Sequence, residues 1–187
     1  MTPEEQAFLE RTRVGALATV DDERNPHVVP ICYALPEFDD STAETDPAIV
    51  SAIDEKPKAT RKLQRVRNIR TNSRVTLLVD RYREDWSRLA WVQIRGRARI
   101  IEPDAAVGVR SDSTNRNRTG STPHDAATGA LERKYDQYAD HDLGDCPVIL
   151  IRVERTVSWG ALDRGDGNES EDRGRNESGD RGRNVDS

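Results

Sequence analysis

The sequence predicts a mainly β fold, an antiparallel barrel of six strands with peripheral helices. Six β-rich runs follow one another along the chain, in an order typical of hairpins. Helical patterns occur at the ends of this order and between the third and fourth runs. A doubly wound parallel sheet fits less well, because only one strand pair is bridged by a convincing helix and no glycine-rich phosphate loop follows the first strand.

The first predicted element is a short helix that ends near Thr12. Thr2 can cap this helix, Pro3 suits its first position, and Glu5 completes a capping box. Two β-rich runs follow and form an antiparallel hairpin, whose second strand carries Pro30 as a sign of an edge or a bulge. The first three predicted strands are Val14–Val20, Pro26–Leu35 and Ile49–Ile53.

A strongly basic segment separates the third strand from the fourth, which we place at Arg74–Asp80. Leu63, Val66 and Ile69 are spaced three apart, which predicts a helix over Ala59–Thr71 with one apolar face. Three of the four lysines and a group of arginines surround this face: Lys56, Lys58, Lys62, Arg61, Arg65, Arg67 and Arg70. So much positive charge after a strand and at the start of a helix predicts a phosphate site.

The fifth strand, Leu89–Ile101, shows the clearest alternation in the sequence. It places Trp91, Gln93, Arg95, Arg97 and Arg99 on one side, and Val92, Ile94, Gly96, Ala98 and Ile100 on the other. Gly96 indicates a bulge or a close approach of another backbone.

The remainder of the chain adds one helix, one strand and a polar tail. A mobile loop is expected at Ser111–Thr122, a helix at Ala126–Tyr138 and the last strand at Cys146–Trp159. Residues 163–187 hold one apolar side chain and repeat Asp-Arg-Gly-Arg-Asn, so we expect a disordered tail after a single domain spanning 1–162.

Composition excludes several classes of protein. The net charge of −5 argues against general nucleic-acid binding. No window is apolar enough for a membrane span and no signal peptide is evident, so we expect a cytoplasmic protein without a membrane partner. Cys32, Cys146 and the three histidines lack ligand-like spacing, so no metal site is expected. His27 is interpreted as a structural histidine, with a catalytic proton donor as the alternative.

Three stretches resemble the flavin-type split β-barrel of the pyridoxamine-5′-phosphate oxidase superfamily, over about residues 4–162. They are VGALATVDDERNPHVVPICYAL, KPKATRKLQRVRNIRTNSRVTLLVD and DWSRLAWVQIRGRARII. The Asp-x-Lys-Pro-Lys and Arg-Asn-Ile combination, with the Asp-Trp loop, is most similar to the branch assigned to the deazaflavin coenzyme F-420 rather than to FMN.

The resemblance implies a homodimer with two equivalent cofactor sites at its interface. The cofactor performs hydride transfer, so no catalytic side chain is expected, and the sequence shows no Ser/His/Asp or Cys/His arrangement. The predicted cofactor-binding residues are Lys56, Lys58, Arg61, Arg65, Asn68, Asp80 and Trp86.

Some of these residues also have a simpler interpretation: Lys56 and Lys58 could form a solvated turn against the acidic loop, and Asp80 could serve a turn. Among the other tryptophans, Trp91 suits a barrel or dimer core as well as a flavin ring, whereas Trp159 suits core packing better. The sequence therefore leaves three functions open. They are an F-420-dependent oxidoreductase acting on an unknown small molecule, an FMN-dependent pyridoxamine-phosphate-oxidase-like enzyme, and a carrier that binds the deazaflavin without turnover.

Overall fold

A computed structural model of the chain describes residues 1–38, 47–53, 63–103, 122–138 and 141–163. Within these ranges the chain forms three α-helices: α1 (Pro3–Arg11), α2 (Gln64–Thr71) and α3 (Pro123–Lys134). It also forms six strands: β1 (Val14–Val20), β2 (Pro26–Cys32), β3 (Ala48–Ala52), β4 (Arg74–Arg81), β5 (Ala90–Ile101) and β6 (Val148–Gly160). Two one-turn 3₁₀ helices lie at Trp86–Arg88 and Asp136–Tyr138.

The six strands form one antiparallel sheet in the order β2-β1-β4-β5-β6-β3. The sheet curls into a half-barrel, and the chain just after β2 meets β3 at an Ala34–Val50 bridge with two N···O distances of 2.9 Å. The predicted mainly β, antiparallel architecture with peripheral helices is confirmed. Pro30 lies on an edge strand, where a residue without a backbone N–H is tolerated.

Two apolar clusters stabilise this sheet. The larger one fills the curl and includes Phe8 and Leu9 of α1 and Val66 and Ile69 of α2. Two members of the predicted apolar face of α2 are thus confirmed, whereas Leu63 precedes the helix in an extended conformation and is partly buried against the same cluster. The smaller one joins α3 to β3 and β6, with Leu131 of α3 among its buried members. Both surfaces of β3 are therefore covered, and all five of its residues are buried.

The expectations for β5 are confirmed in detail. Its predicted inner residues from Val92 to Ala98 are buried, and its arginines are exposed. The pairing with β6 shifts register between Arg95 and Gly96. A Cβ atom on Gly96 would lie 2.1 Å from the backbone oxygen of Arg152, which explains why glycine is needed there.

Some boundaries differ from the predictions. The third helix begins at Pro123 instead of Ala126, because Thr122 and Asp125 form a second capping box. It ends at Lys134, and a 3₁₀ turn forms the remainder of the predicted helix. β2 ends at Cys32, with only a single bridge beyond it.

None of the helices in the described ranges is long and apolar enough to cross a membrane. Two segments for which the sequence predicts disorder or mobility lie outside the described residues. They are the polar tail beyond Asp163 and most of the Ser111–Thr122 loop.

Candidate functional site

The basic connection between β3 and α2 was the centre of the predicted site. Lys56, Lys58 and Arg61 lie outside the described residues, so their role stays a prediction. The described chain resumes at Leu63, the N-cap of α2, which makes no side-chain cap hydrogen bond. The remaining candidates of this group, Arg65 and Asn68, lie on α2 itself.

The packing of α2 determines where its polar residues lie. Its buried Val66 and Ile69 anchor the helix in the main core. Arg67 and Arg70 are exposed, and Arg70 pairs with Glu102 at 2.9 Å on the surface. Arg67 and Arg70, which belong to the basic group seen in the sequence, therefore lie on the surface.

Asn68 is buried and connects α2 to the first hairpin. Its Nδ2 donates to Thr19 Oγ1 at 3.0 Å, and its Oδ1 accepts from Gln64 Nε2 at 2.7 Å. Thr19 Oγ1 in turn donates to the backbone oxygen of His27 at 3.4 Å. These contacts make Asn68 a residue that positions α2 against β1 and β2.

Two shielded polar atoms beside this contact have no hydrogen-bond partner within the part of the chain that the structure describes. They are Nε of Arg65 and Nδ1 of His27. Arg65 lies three residues before Asn68, on the same face of α2. His27 is paired with Thr19 in the β1–β2 register. An unsatisfied buried polar group costs about 1–3 kcal/mol, so this arrangement indicates a place for a ligand.

The other two predicted site residues lie at the end of β4 and just beyond it. Asp80 is exposed and is paired with Trp91 in the register, and Trp91 is paired with Trp159 on β6. Trp86 is 74% exposed in the 3₁₀ turn that Asp85 caps through Ser87 N at 3.0 Å. An aromatic side chain so exposed contributes little to the core of a single chain.

One protomer does not bring these two groups together. Thr19, which Asn68 contacts, is adjacent to the Ala18–Thr76 pair of β1 and β4. Asp80 lies four residues farther along β4, a rise of about 13 Å. The predicted site is therefore divided into an α2 group and a sheet-end group.

A cleft of about 500 Å³ opens on the outer face of the sheet, and the sequence reasoning did not include it in the site. Its lining combines small residues, Ala18, Thr76 and Gly96, with the cations Arg74 and Arg95. Glu154 adds a carboxylate to the same lining, so the cleft carries charges of both signs. The alternation of arginines along β5 was the available signal, since it placed Arg95 on the uncovered face.

Among the described residues, no group of three or more His, Cys, Asp or Glu side chains could hold a metal ion.

Comparison with known proteins gives the chain a family and a set of fold neighbours. A family model described as pyridoxamine 5′-phosphate oxidase matches residues 1–159. No curated protein sequence matches significantly.

Three solved structures illustrate the shared fold. A protein of unknown function from Agrobacterium tumefaciens is 19% identical, with a TM-score of 0.55 over 86% of this chain and 59% of that one. A heme-binding protein from Mycobacterium smegmatis is 20% identical, with a TM-score of 0.51 over 88% of this chain and 56% of that one. An F420 reductase is 20% identical, with a TM-score of 0.51 over 84% of this chain and 98% of that one. The chain thus spans less than two thirds of the first two proteins.

Proposed function

Because the chain belongs to the pyridoxamine 5′-phosphate oxidase family, we propose that it is an oxidoreductase that uses the deazaflavin coenzyme F-420 for hydride transfer to or from a small molecule. The choice of F-420 over FMN is supported by the Asp-x-Lys-Pro-Lys and Arg-Asn-Ile sequence combination. A fold neighbour that is an F420 reductase is compatible with this choice. FMN is the alternative cofactor, and a deazaflavin carrier without turnover is the alternative function.

The observation that carries the proposal is Nε of Arg65, which has no hydrogen-bond partner among the described residues. A buried guanidinium N–H in this state favours a ligand that brings an oxygen acceptor, such as a phosphate. Nδ1 of His27, which is paired in register with the Thr19 that Asn68 contacts, also has no hydrogen-bond partner in the described ranges. Lys56 and Lys58 are proposed to add their ammonium groups to the same phosphate.

A shared site in a homodimer would reunite the two groups that one protomer keeps apart. In this proposal the Asp80 and Trp86 group of one copy faces the α2 group of another. The uncovered outer face carries exposed apolar side chains, Val28 at 59% and Leu78 at 37%, which association would remove from water.

The bound cofactor supplies the hydride chemistry, and the chain binds and orients it. Arg65 holds the anionic end, and Asn68 holds α2 at the correct distance from β1. Trp86 covers the ring and excludes water, and Asp80 accepts a hydrogen bond from a hydroxyl of the cofactor.

The direct test is a fluorescence titration of the purified chain with F-420 and with FMN. Arg65→Met should weaken F-420 binding by about 1.5–3 kcal/mol, since one charge-assisted hydrogen bond is lost. Arg67→Met is the matched control, because Arg67 is exposed and lies two residues away on α2. Equal losses in the two variants, or none in either, would place the phosphate elsewhere.

The wild-type titration decides between the cofactors. Binding of FMN without F-420 would overturn the deazaflavin proposal, and binding of neither would overturn the cofactor site. Reduction of a panel of enones and quinones by the loaded protein would distinguish an enzyme from a carrier. A monomer by light scattering, at the concentration where F-420 binds, would contradict the shared site.

A further inference from the structure

Lys134, the last residue of α3, lies in a contact network outside the proposed cofactor site. Its Nζ donates to the backbone oxygen of Leu9 at 2.9 Å, which ties α3 to α1. The same nitrogen lies 3.9 Å from the centroid of the Tyr33 ring and 5.7 Å from that of Tyr135. Three elements, α1, α3 and the end of β2, therefore fix the position of this amine.

A cavity of about 260 Å³ adjoins Lys134. Glu10, Glu37 and Arg133 bring charges to its wall, and Ala34 and Ala130 give it a small apolar surface. The cavity has room for a molecule of a few heavy atoms, and its charged groups suit a polar one.

The observed contacts of Nζ are compatible with an uncharged amine. Such an amine keeps two N–H groups, one for the Leu9 oxygen and one for the face of the Tyr33 ring. These contacts hold Nζ in place beside the cavity. An amine held in this way, once it has lost its proton, is the arrangement of a lysine nucleophile.

We propose that Lys134 is a covalent binding site for small aldehydes, which enter this cavity and form an imine with Nζ. The lone pair attacks the carbonyl carbon, and a C–N bond forms as the carbonyl oxygen takes up protons. The oxygen then leaves as water with one hydrogen from the nitrogen and one proton from solvent. The nitrogen keeps its second hydrogen as a protonated imine, so no oxidant or reductant is required. The protonated imine remains a cation and keeps its place over the Tyr33 ring.

The charges around Lys134 favour this reaction near neutral pH. Burial lowers the pKa of Lys134 to about 8, and the nearby Arg13 guanidinium acts in the same direction. Glu10 and Cys32 act against them and raise this pKa. The titratable and charged groups around the amine are Glu10, Arg13, Cys32, Tyr33, Glu37, Arg133 and Tyr135.

The chain has four lysines, which makes a positional test practical. Wild-type protein is treated with propanal and cyanoborohydride over a pH series, and labelled peptides are quantified by mass spectrometry. Lys134 should be labelled about tenfold faster than the other three lysines at neutral pH, with a rate midpoint near pH 8. A slower rate at Lys134 than at the other lysines, or a midpoint near that of ordinary lysine, would overturn the proposal.

Two charge variants sharpen the test, because they should shift the midpoint in opposite directions. Glu10→Gln removes a charge that raises the pKa of Lys134, so its midpoint should fall. Arg13→Gln removes a charge that lowers this pKa, so its midpoint should rise. Shifts in the same direction, or none, would show that labelling occurs outside this environment.

Lys134→Arg is the control for position, since it keeps a cation over Tyr33 but cannot form an imine. It should lose the label at residue 134 while retaining the circular dichroism spectrum of the wild type. The two charge variants keep the proposal falsifiable even if Lys134→Arg fails to fold.

Discussion

Two buried polar clusters differ in whether their hydrogen bonds are complete. Around Tyr135 the hydroxyl accepts from Tyr33 N at 2.9 Å and lies within reach of two carbonyl oxygens, those of Tyr33 at 2.7 Å and Arg13 at 2.5 Å. Around Asn68 the amide is likewise paired, but the described part of the chain supplies no hydrogen-bond partner for Arg65 Nε or His27 Nδ1.

The Tyr135 cluster stabilises the fold by itself, whereas in the proposed function a ligand completes the hydrogen bonds of the Asn68 cluster. A buried polar group stabilises a protein only when its partner is present, and it costs free energy when the partner is missing. Tyr135 should therefore contribute to stability in the free protein. Arg65 should contribute when a ligand supplies the acceptor, and removing it from the free protein should cost little.

The largest effect is expected for Tyr135→Phe. The substitution leaves the buried backbone N–H of Tyr33 without an acceptor and removes the donor shared by two carbonyls. The free energy of unfolding should fall by about 3 kcal/mol, while cofactor affinity stays unchanged. Urea denaturation at one fixed protein concentration measures the first, because dimerisation would add to stability.

Tyr82→Phe is the matched control, since Tyr82 is 64% exposed. It should change the free energy of unfolding by less than about 0.5 kcal/mol. A comparable loss in both variants would show that the Tyr135 network contributes nothing specific.

The two clusters also differ in how far the sequence could reveal them. The basic character of α2 and its division into faces follow from spacing along one helix, so Arg65 and Asn68 could be nominated. The Tyr135 contacts join residues 102 and 122 positions apart, and periodicity within one element contains no information about such pairs. Tyr135 could be predicted only as a packing residue, and Lys134 was not nominated at all.

Sequence patterns predicted the structure correctly where it depends on contacts between residues that are close together in the chain. Thr2 and Glu5 form the predicted capping box, with distances of 2.9 and 3.2 Å. The same signature at Thr122 and Asp125 was overlooked, because the polar segment before it favoured a loop. A bulge or a close backbone approach could be predicted at Gly96. The Arg152 oxygen that requires glycine there could be identified only from the fold.

A smaller effect is expected within the α2 cluster, where two residues on one face should respond differently. Asn68→Ala removes hydrogen bonds to Thr19 and from Gln64 and should lower the free energy of unfolding by about 2 kcal/mol. Arg65→Met removes a donor for which the described residues offer no partner, so the free energy of unfolding of the free protein should change by less than about 1 kcal/mol. Chemical denaturation without cofactor measures both. A larger loss for Arg65→Met than for Asn68→Ala would mean that the guanidinium already has a structural role.

The smallest effect concerns Glu5, a buried carboxylate outside the two clusters. Like Tyr135, it has its hydrogen-bond partners in the free protein. Burial raises the pKa of Glu5, but hydrogen bonds from Thr2 N, Thr156 and Ser158 outweigh it and hold the pKa below its usual 4.5. A depressed pKa means that the stabilisation is present above pH 4.5 and is lost as the pH falls through the folded-state value.

Glu5→Gln keeps an acceptor for Thr2 N and Thr156 Oγ1, so it should cost about 0.5 kcal/mol at neutral pH and reduce the loss of stability in acid. Denaturation of both proteins from neutral to acidic pH measures the difference, and Glu4→Gln, an exposed neighbour in the same turn, is the control. An unfolding free energy that falls equally steeply with and without Glu5 would assign the acid sensitivity to other carboxylates.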